Sequence, residues 1–314
     1  MGSLQALPPL ELDSVGVMCH LARPTLQECA DVAAAAEEAG AGWFMLPDAL
    51  GWRDVWLSLA TAAAATSRIV IGPGVTNPYT RHPFVTIAAL ATLHEVSEGR
   101  AMLGIAAGGS ELSALAGIDR SDSPEKLRFL VDALRQAARG ESEVPYGVPI
   151  PDVAVVGGAR GPGMLQAVGD TCDIALLWGQ THGLLQKASD AVRGRRATVA
   201  WSPLRRADRA HVNAALVYGV LNSPLKVRRA LGVDEDLEAR IRERLMEGGM
   251  DFAASLVPDS AVAEFAVDDD LDKAQVIAER LGARHIIVQA FTVEDIAERV
   301  AWATELSTML ATGD

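Results

Sequence analysis

Apolar residues along this chain fall into short runs separated by amphipathic stretches, and the two alternate regularly. Val15 to His20 (VGVMCH) is the first run, ending on polar residues. Pro24-Thr25 then opens an alanine-rich helix to Glu38, which Gly40 and Gly42 close. Trp43 to Leu46 is the second run, ending at Pro47-Asp48, and Trp52 to Thr66 has the period of a helix. Arg68 to Gly72 alternates and is β-branched, Thr86 to Val96 has apolar residues at helical spacing, and Ala101 to Ala106 is another buried run. Arg68 to Gly109 therefore predicts a β-α-β unit with glycine-rich loops at the C-terminal ends of its strands. Pro124 starts a helix to about Arg139, with Glu125 suited to the positive end of its dipole.

The second half repeats the pattern. Val153 to Val156 reads as a fifth strand, followed at once by GGARGPGMLQAVG; Asp173 to Trp178 is a sixth, and Leu184 to Val192 a helix. Thr198 to Trp201 is a seventh candidate, Arg284 to Ala290 an eighth, and the last helix runs from Val293 to about Leu310. Eight apolar strands alternating with helices predict a (β/α)8 TIM barrel. A doubly wound open sheet is the alternative, which the strand count disfavours. Between Ala207 and Gly249, Asn213 to Val220 has the residue types of a strand. Ser223-Pro224 and the charged segment after it favour instead a helical excursion following the seventh strand.

No linker or low-complexity block divides the 314 residues, so 1–314 reads as one domain with 1–13 as an N-terminal arm. Apolar residues make up 49%, yet no run approaches the roughly 20 needed to span a membrane. The N-terminus lacks a basic region followed by an apolar core. Three cysteines, Cys19, Cys29 and Cys172, form no metal-type spacing and fit reduced thiols. The expectation is a soluble cytoplasmic protein without a metal site. A formal net charge of −13 argues against nucleic acid or an anionic membrane as partner, so an anionic ligand needs locally placed arginines.

In parallel β/α folds chemistry is placed at the C-terminal ends of the strands. Cys19 and His20 end the first strand, Glu111 follows the fourth, and Trp178, Gln180 and His182 follow the sixth. His20 is the strongest candidate general acid, because an unperturbed imidazole titrates near neutral pH. A hydrogen-bonding structural role is the plainer alternative, and Cys19 has no paired base in sequence. GGARGPGM is a glycine-rich turn leading into a helix near Pro162; its backbone N–H groups at Gly158, Ala159 and Gly161, with the charge of Arg160, suit a phosphate. Trp178 and Trp52 can stack on a flat ring or pack between elements.

GPGVTNPYTRHP at Gly72 to Pro83, SEGRAMLGIAAGG at Ser97 to Gly109, LPDALGWRDVW at Leu46 to Trp56, GGARGPGML at Gly157 to Leu165 and SPLKVRRALGVD at Ser223 to Asp234 resemble the luciferase-like superfamily. Within it they are similar to the deazaflavin-dependent methylenetetrahydromethanopterin reductases. The resemblance implies a homo-oligomeric barrel enzyme binding coenzyme F420 at its C-terminal mouth, with FMN the alternative cofactor. It places a non-prolyl cis peptide at Gly74-Val75, so that Gly74, Val75 and Thr76 form a backbone shelf facing Ala106, Ala107 and Gly108. It sets Asp48 near the pyrimidine edge of the deazaflavin.

This chain also departs from the resembled pattern. An aspartate-histidine pair is replaced by Asp48-Ala49, a first-strand glutamate by Met18, and a glycine-alanine-glycine-aspartate-lysine loop by Ala106 to Ser110. A late glycine-threonine-proline turn is replaced by Asp268-Asp269-Asp270. The implied activity is hydride transfer between coenzyme F420 and an unsaturated carbon or imine of a small organic substrate, a specialised metabolite and not a methanopterin. The alternatives are an FMN-dependent monooxygenase and a barrel whose altered mouth serves a non-redox or binding role.

Overall fold

In the computed structural model, which describes residues 12, 14–21, 23–205, 216–247, 249–267 and 269–312, the alternating runs become strands and helices. The strands are β1 (Val15–Cys19), β2 (Trp43–Leu46), β3 (Val70–Pro73), β4 (Leu103–Ile105), β5 (Val155–Gly158), β6 (Ile174–Trp178), β7 (Thr198–Ser202), β8 (Leu204–Arg205), β9 (Ala266–Val267) and β10 (Ala283–Ala290). Eight form one sheet in the order β3-β2-β1-β10-β7-β6-β5-β4, and β8 pairs with β9 apart from it. Every ladder is parallel. The edges β3 and β4 meet through bridges Ile71–Ala101 and Thr76–Ile105, with Met102 N donating to Ile71 O and Ala106 N to Thr76 O, both at 2.9 Å. This closes the sheet into the (β/α)8 barrel that the alternation predicts.

Side chains of one parity point inward. Met18, Trp43, Met45, Val70, Met102, Ala154, Val156, Ile174, Leu176, Ala200 and Ile287 fill the barrel interior. The other parity, including Val17, Phe44, Ile71, Leu103, Val155, Leu177 and Ile286, packs outward under the helices. Burial on both faces is why the strands read as continuous apolar runs. Leu12, inside the expected arm, joins the interior cluster, and the rest of that arm lies outside the described residues.

The outer layer begins with α1 (Leu26–Glu38), held by a Thr25–Glu28 capping box. It continues with α2 (Val55–Ala64), α3 (Pro83–Val96), α4 (Ser110–Leu115), α5 (Ser123–Ala138), α6 (Pro162–Thr171) and α7 (His182–Val192). The short α4 carries no clear period in the sequence. Glu37 of α1 accepts backbone N–H groups of Ser67, Arg68 and Ile69, tying the helix to the entry of β3. The fifth strand lies two residues later than its apolar run indicates. Gly157 and Gly158 belong to the ladder, where a side chain at Gly157 would meet Val168 and Cys172 at 2.6 and 2.7 Å. Close approach of α6 therefore explains a glycine in a strand.

After β7 the chain makes the helical excursion: α8 (residues 216–221), α9 (Leu225–Ala230), α10 (Glu235–Glu247), α11 (Met250–Ala254) and α12 (Asp259–Phe265). It has its own core, built from residues such as Leu216, Val220, Leu231, Ile241, Val257 and Phe265. The barrel then resumes with α13 (Leu271–Leu281), β10 and α14 (Ile296–Thr312). Buried Arg205 on β8 bonds Asp269 and Glu298, each at 2.7 Å, and so joins the excursion's exit to α14. Asp270 caps α13, which gives two of the three late aspartates a structural use; Asp268 lies outside the described residues. No helix among the described residues is long and apolar enough to cross a membrane.

Candidate active site

The C-terminal ends of the strands divide into two arcs. On β3, β4 and β5 the inward positions are Gly74, Ala106 and Gly158, so backbone and small side chains form the wall. A Cβ added at Gly158 would lie 3.2 Å from Ala106 Cβ and 3.8 Å from Val75 Cγ2. Three residues expected at a cofactor shelf thus converge. A cis peptide joins Gly74 and Val75, at the position the resemblance implies.

The NPYTRHP stretch holds this wall in place. Fully buried Thr76 donates its backbone N–H to Gly104 O and accepts from Ala106 N, both at 2.9 Å. Asn77 Oδ1 accepts from Tyr79 N and Thr80 N, each at 3.0 Å, and the Tyr79 hydroxyl reaches Asp122 and Ser123 at the start of α5. Arg81 pairs with Asp54 at the start of α2, and His82 caps α3 through Nδ1. Ala107 and Gly108 continue the fourth loop, and Arg120 fixes Gly108 by donating to its carbonyl at 2.6 Å.

Asp48 faces this shelf from β2. Its carboxylate accepts the Thr76 hydroxyl at 2.6 Å. Burial pushes the carboxyl above its ordinary range, opposed by that hydrogen bond and by the charge of Arg81. The cap of α2 is Asp54, which accepts Trp56 N and Leu57 N, so Asp48 is not the helix cap.

At the end of β5 stands Arg160. Ala159 beside it is buried, and Gly161 is the N-cap of α6, with Pro162 opening the helix. The Arg160 guanidinium carbon lies 5.8 Å from the Trp178 ring centroid, and no carboxylate among the described residues pairs with it. Burial lowers its pKa to about 10, so it remains a cation at neutral pH. Gly179, at φ +60°, makes the arrangement possible: a Cβ there would come 2.9 Å from Arg160 Nη2.

The arc formed by β1, β10, β7 and β6 is polar and aromatic. His20 lies 5.4 Å from Trp178 and 5.7 Å from Phe291 between ring centroids. Burial, with a smaller contribution from the charge of Arg299, lowers the His20 pKa to about 4. The neutral-pH titration expected of this residue is therefore removed, and His20 stays an uncharged imidazole. Its buried Nε2, the Trp178 Nε1, the Gln180 Nε2 and the Gln289 Oε1 have no hydrogen-bond partner among the described residues. Cys19 is buried, which pushes its thiol up to about 12, and His182 opens α7. Glu111 falls within α4, and its side chain lies outside the described part of the structure. Gln289 and Ser202 were missed in the sequence because each ends an apolar strand without a motif around it.

Among the described residues no group of three His, Cys, Asp or Glu side chains is arranged for a metal ion. The model of the luciferase-like monooxygenase family matches residues 12–289. The chain belongs to the luciferase-like family. One luciferase-like relative is the 5,10-methylenetetrahydromethanopterin reductase of Archaeoglobus fulgidus, 29% identical over 268 residues that cover 76% of this chain and 80% of that protein. The corresponding enzyme of Methanopyrus kandleri is 26% identical over 257 residues, covering 68% and 74%. The fold matches the solved structure of the coenzyme F420 dependent tetrahydromethanopterin reductase from Methanopyrus kandleri with a TM-score of 0.76, over 95% of this chain and 99% of that one at 22% identity. It also matches an F420-dependent secondary alcohol dehydrogenase with a TM-score of 0.65, over 95% and 99% at 16% identity.

Proposed function

We propose that this luciferase-like protein is a coenzyme F420-dependent oxidoreductase that transfers a hydride between the deazaflavin and an unsaturated carbon or imine of a small organic substrate. The observation that carries the reading is Arg160: a part-buried guanidinium without a carboxylate partner among the described residues, beside a wall of glycine and alanine. The wall suits the face of a flat ring system, and the cation suits a phosphate. The relatives named above, which include F420-dependent reductases, support the cofactor class.

The residues fit such a cofactor. Gly74, Val75, Thr76, Ala106, Ala107, Gly108 and Gly158 would line the ring, Asp48 would meet its hydrogen-bonding edge, and Ala159, Arg160 and Gly161 would hold the phosphate at the N-terminus of α6. The deazaflavin supplies the hydride chemistry. The protein orients the substrate against it, with His20 and Trp178 on the facing arc, and excludes water. His20, uncharged, serves there as a hydrogen-bonding group; a cationic acid at that position is inconsistent with its lowered pKa.

The test is turnover with a panel of enones, ketones and imines, followed by the absorbance of the deazaflavin in both directions. The reading predicts cofactor oxidation or reduction that depends on one of these classes. Oxygen consumption with reduced FMN and no deazaflavin turnover would contradict it and favour a monooxygenase, the activity for which the matched family is described.

A further inference from the structure

Gln289 of β10 and Ser202 of β7 lie at the floor of the mouth, 3% and 2% exposed, two residues beyond the inward-facing Ile287 and Ala200. Gln289 Nε2 donates to Ser202 Oγ at 3.3 Å, while Gln289 Oε1 is buried without a partner among the described residues. Turning the amide by half a turn exchanges its oxygen and nitrogen, but in either sense Ser202 meets one polar atom and the other is left unmet. A buried polar atom is stabilised when a partner completes it. The pair is therefore complementary to a ligand group that reaches the floor.

The surroundings restrict that group. Met18 pairs with Gln289 across the β1–β10 ladder, and Trp178 pairs with Ser202 across β6–β7. Ile287, Ala200 and Leu176 add apolar side chains around the pair, and the Arg160 guanidinium lies over the Trp178 ring at 5.8 Å. Asp48, after β2, is bonded to Thr76, and Arg160, after β5, would be taken up by the cofactor phosphate. A charged ligand group placed on the floor would be desolvated without a counter-ion.

We propose that Gln289 and Ser202 form a recognition site for an uncharged hydroxyl or carbonyl group, so that the substrate presents a neutral polar end to the barrel floor. The proposal rests on the mouth being the cofactor and substrate chamber. The neutral amide and hydroxyl select against carboxylates and ammonium groups at this point. The pair acts in binding and specificity.

Calorimetric titration of the full chain, with and without F420, tests it with four size-matched probes: cyclohexanone, cyclohexanol, cyclohexanecarboxylate and cyclohexylammonium. The neutral pair should bind about tenfold or more tightly than either charged probe, and Gln289→Leu or Ser202→Ala should weaken neutral binding by about tenfold. The dissociation constant for F420 should stay unchanged in both variants. Gln289→Glu should shift preference toward cyclohexylammonium, a gain that a destabilised fold does not produce. Equal or tighter binding of a charged probe, no binding of either neutral probe, or neutral binding indifferent to all three substitutions, as when water alone fills the site, would overturn the proposal. Failure of the wild-type chain to bind F420 counts separately, against the cofactor reading.

Discussion

The guanidinium of Arg160 lies over the indole of Trp178 at 5.8 Å, and among the described residues no carboxylate neutralises it. In a protein of net charge −13 an arginine left in this state stands out against the many that are paired, such as Arg205 and Arg135. Arg160→Ala should weaken F420 binding by roughly tenfold to a hundredfold, the loss of one charge-assisted contact of about 1.5–3 kcal/mol. It should also flatten the salt dependence of binding and leave the unfolding midpoint nearly unchanged. Fluorescence titration at several ionic strengths, with urea unfolding alongside, checks both.

Gly179 should act through Arg160. A methyl group there would approach Nη2 at 2.9 Å, and φ +60° is costly for any residue with a side chain. Gly179→Ala is expected to lower F420 affinity as Arg160→Ala does, with the double variant no weaker than either single one. An additive loss would show that Gly179 matters for another reason. The stability cost should be about 1 kcal/mol.

Filling the shelf should block the cofactor without unfolding the barrel. At Gly158 a Cβ already comes 3.2 Å from Ala106 Cβ, and a longer side chain would extend over the wall at the open end of β5. Gly158→Leu is expected to abolish measurable F420 binding while circular dichroism and the thermal transition stay close to wild type.

His20 should not titrate near neutral pH. Burial favours the uncharged ring and brings the pKa from 6.5 to about 4, so between those values the unfolded chain binds the extra proton. The stabilisation is present above pH 6.5 and is lost as pH falls through about 4. Turnover should therefore show no inflection near 6.5 attributable to His20, and NMR of the imidazole should place its midpoint near 4. A midpoint above 6 would restore the cationic acid.

The barrel was legible because strands buried on both faces are written as unbroken apolar runs, as Trp43–Leu46 is in both sequence and structure. Relations between distant residues were not legible. Nothing local to Arg205 announces Asp269 and Glu298 as its partners, and Gln289 meets Ser202 across 87 positions. Local rules also leave details open. An aspartate after β2 resembles a helix cap, yet Asp54 takes that role because α2 begins at Val55, which frees Asp48 for Thr76. The reading of His20 rested on an unperturbed pKa, and burial between Trp178 and Phe291 is a property of three separated chain segments.

As proposed, the mouth would hold a deazaflavin against the Gly74, Ala106 and Gly158 wall with its phosphate at Arg160. The most direct measurement is equilibrium titration of the purified full chain with F420 and with FMN, followed by fluorescence. Saturable binding of F420, weaker binding of FMN, and loss of F420 affinity in Arg160→Ala are expected. Tight FMN binding with no response to F420 would contradict it.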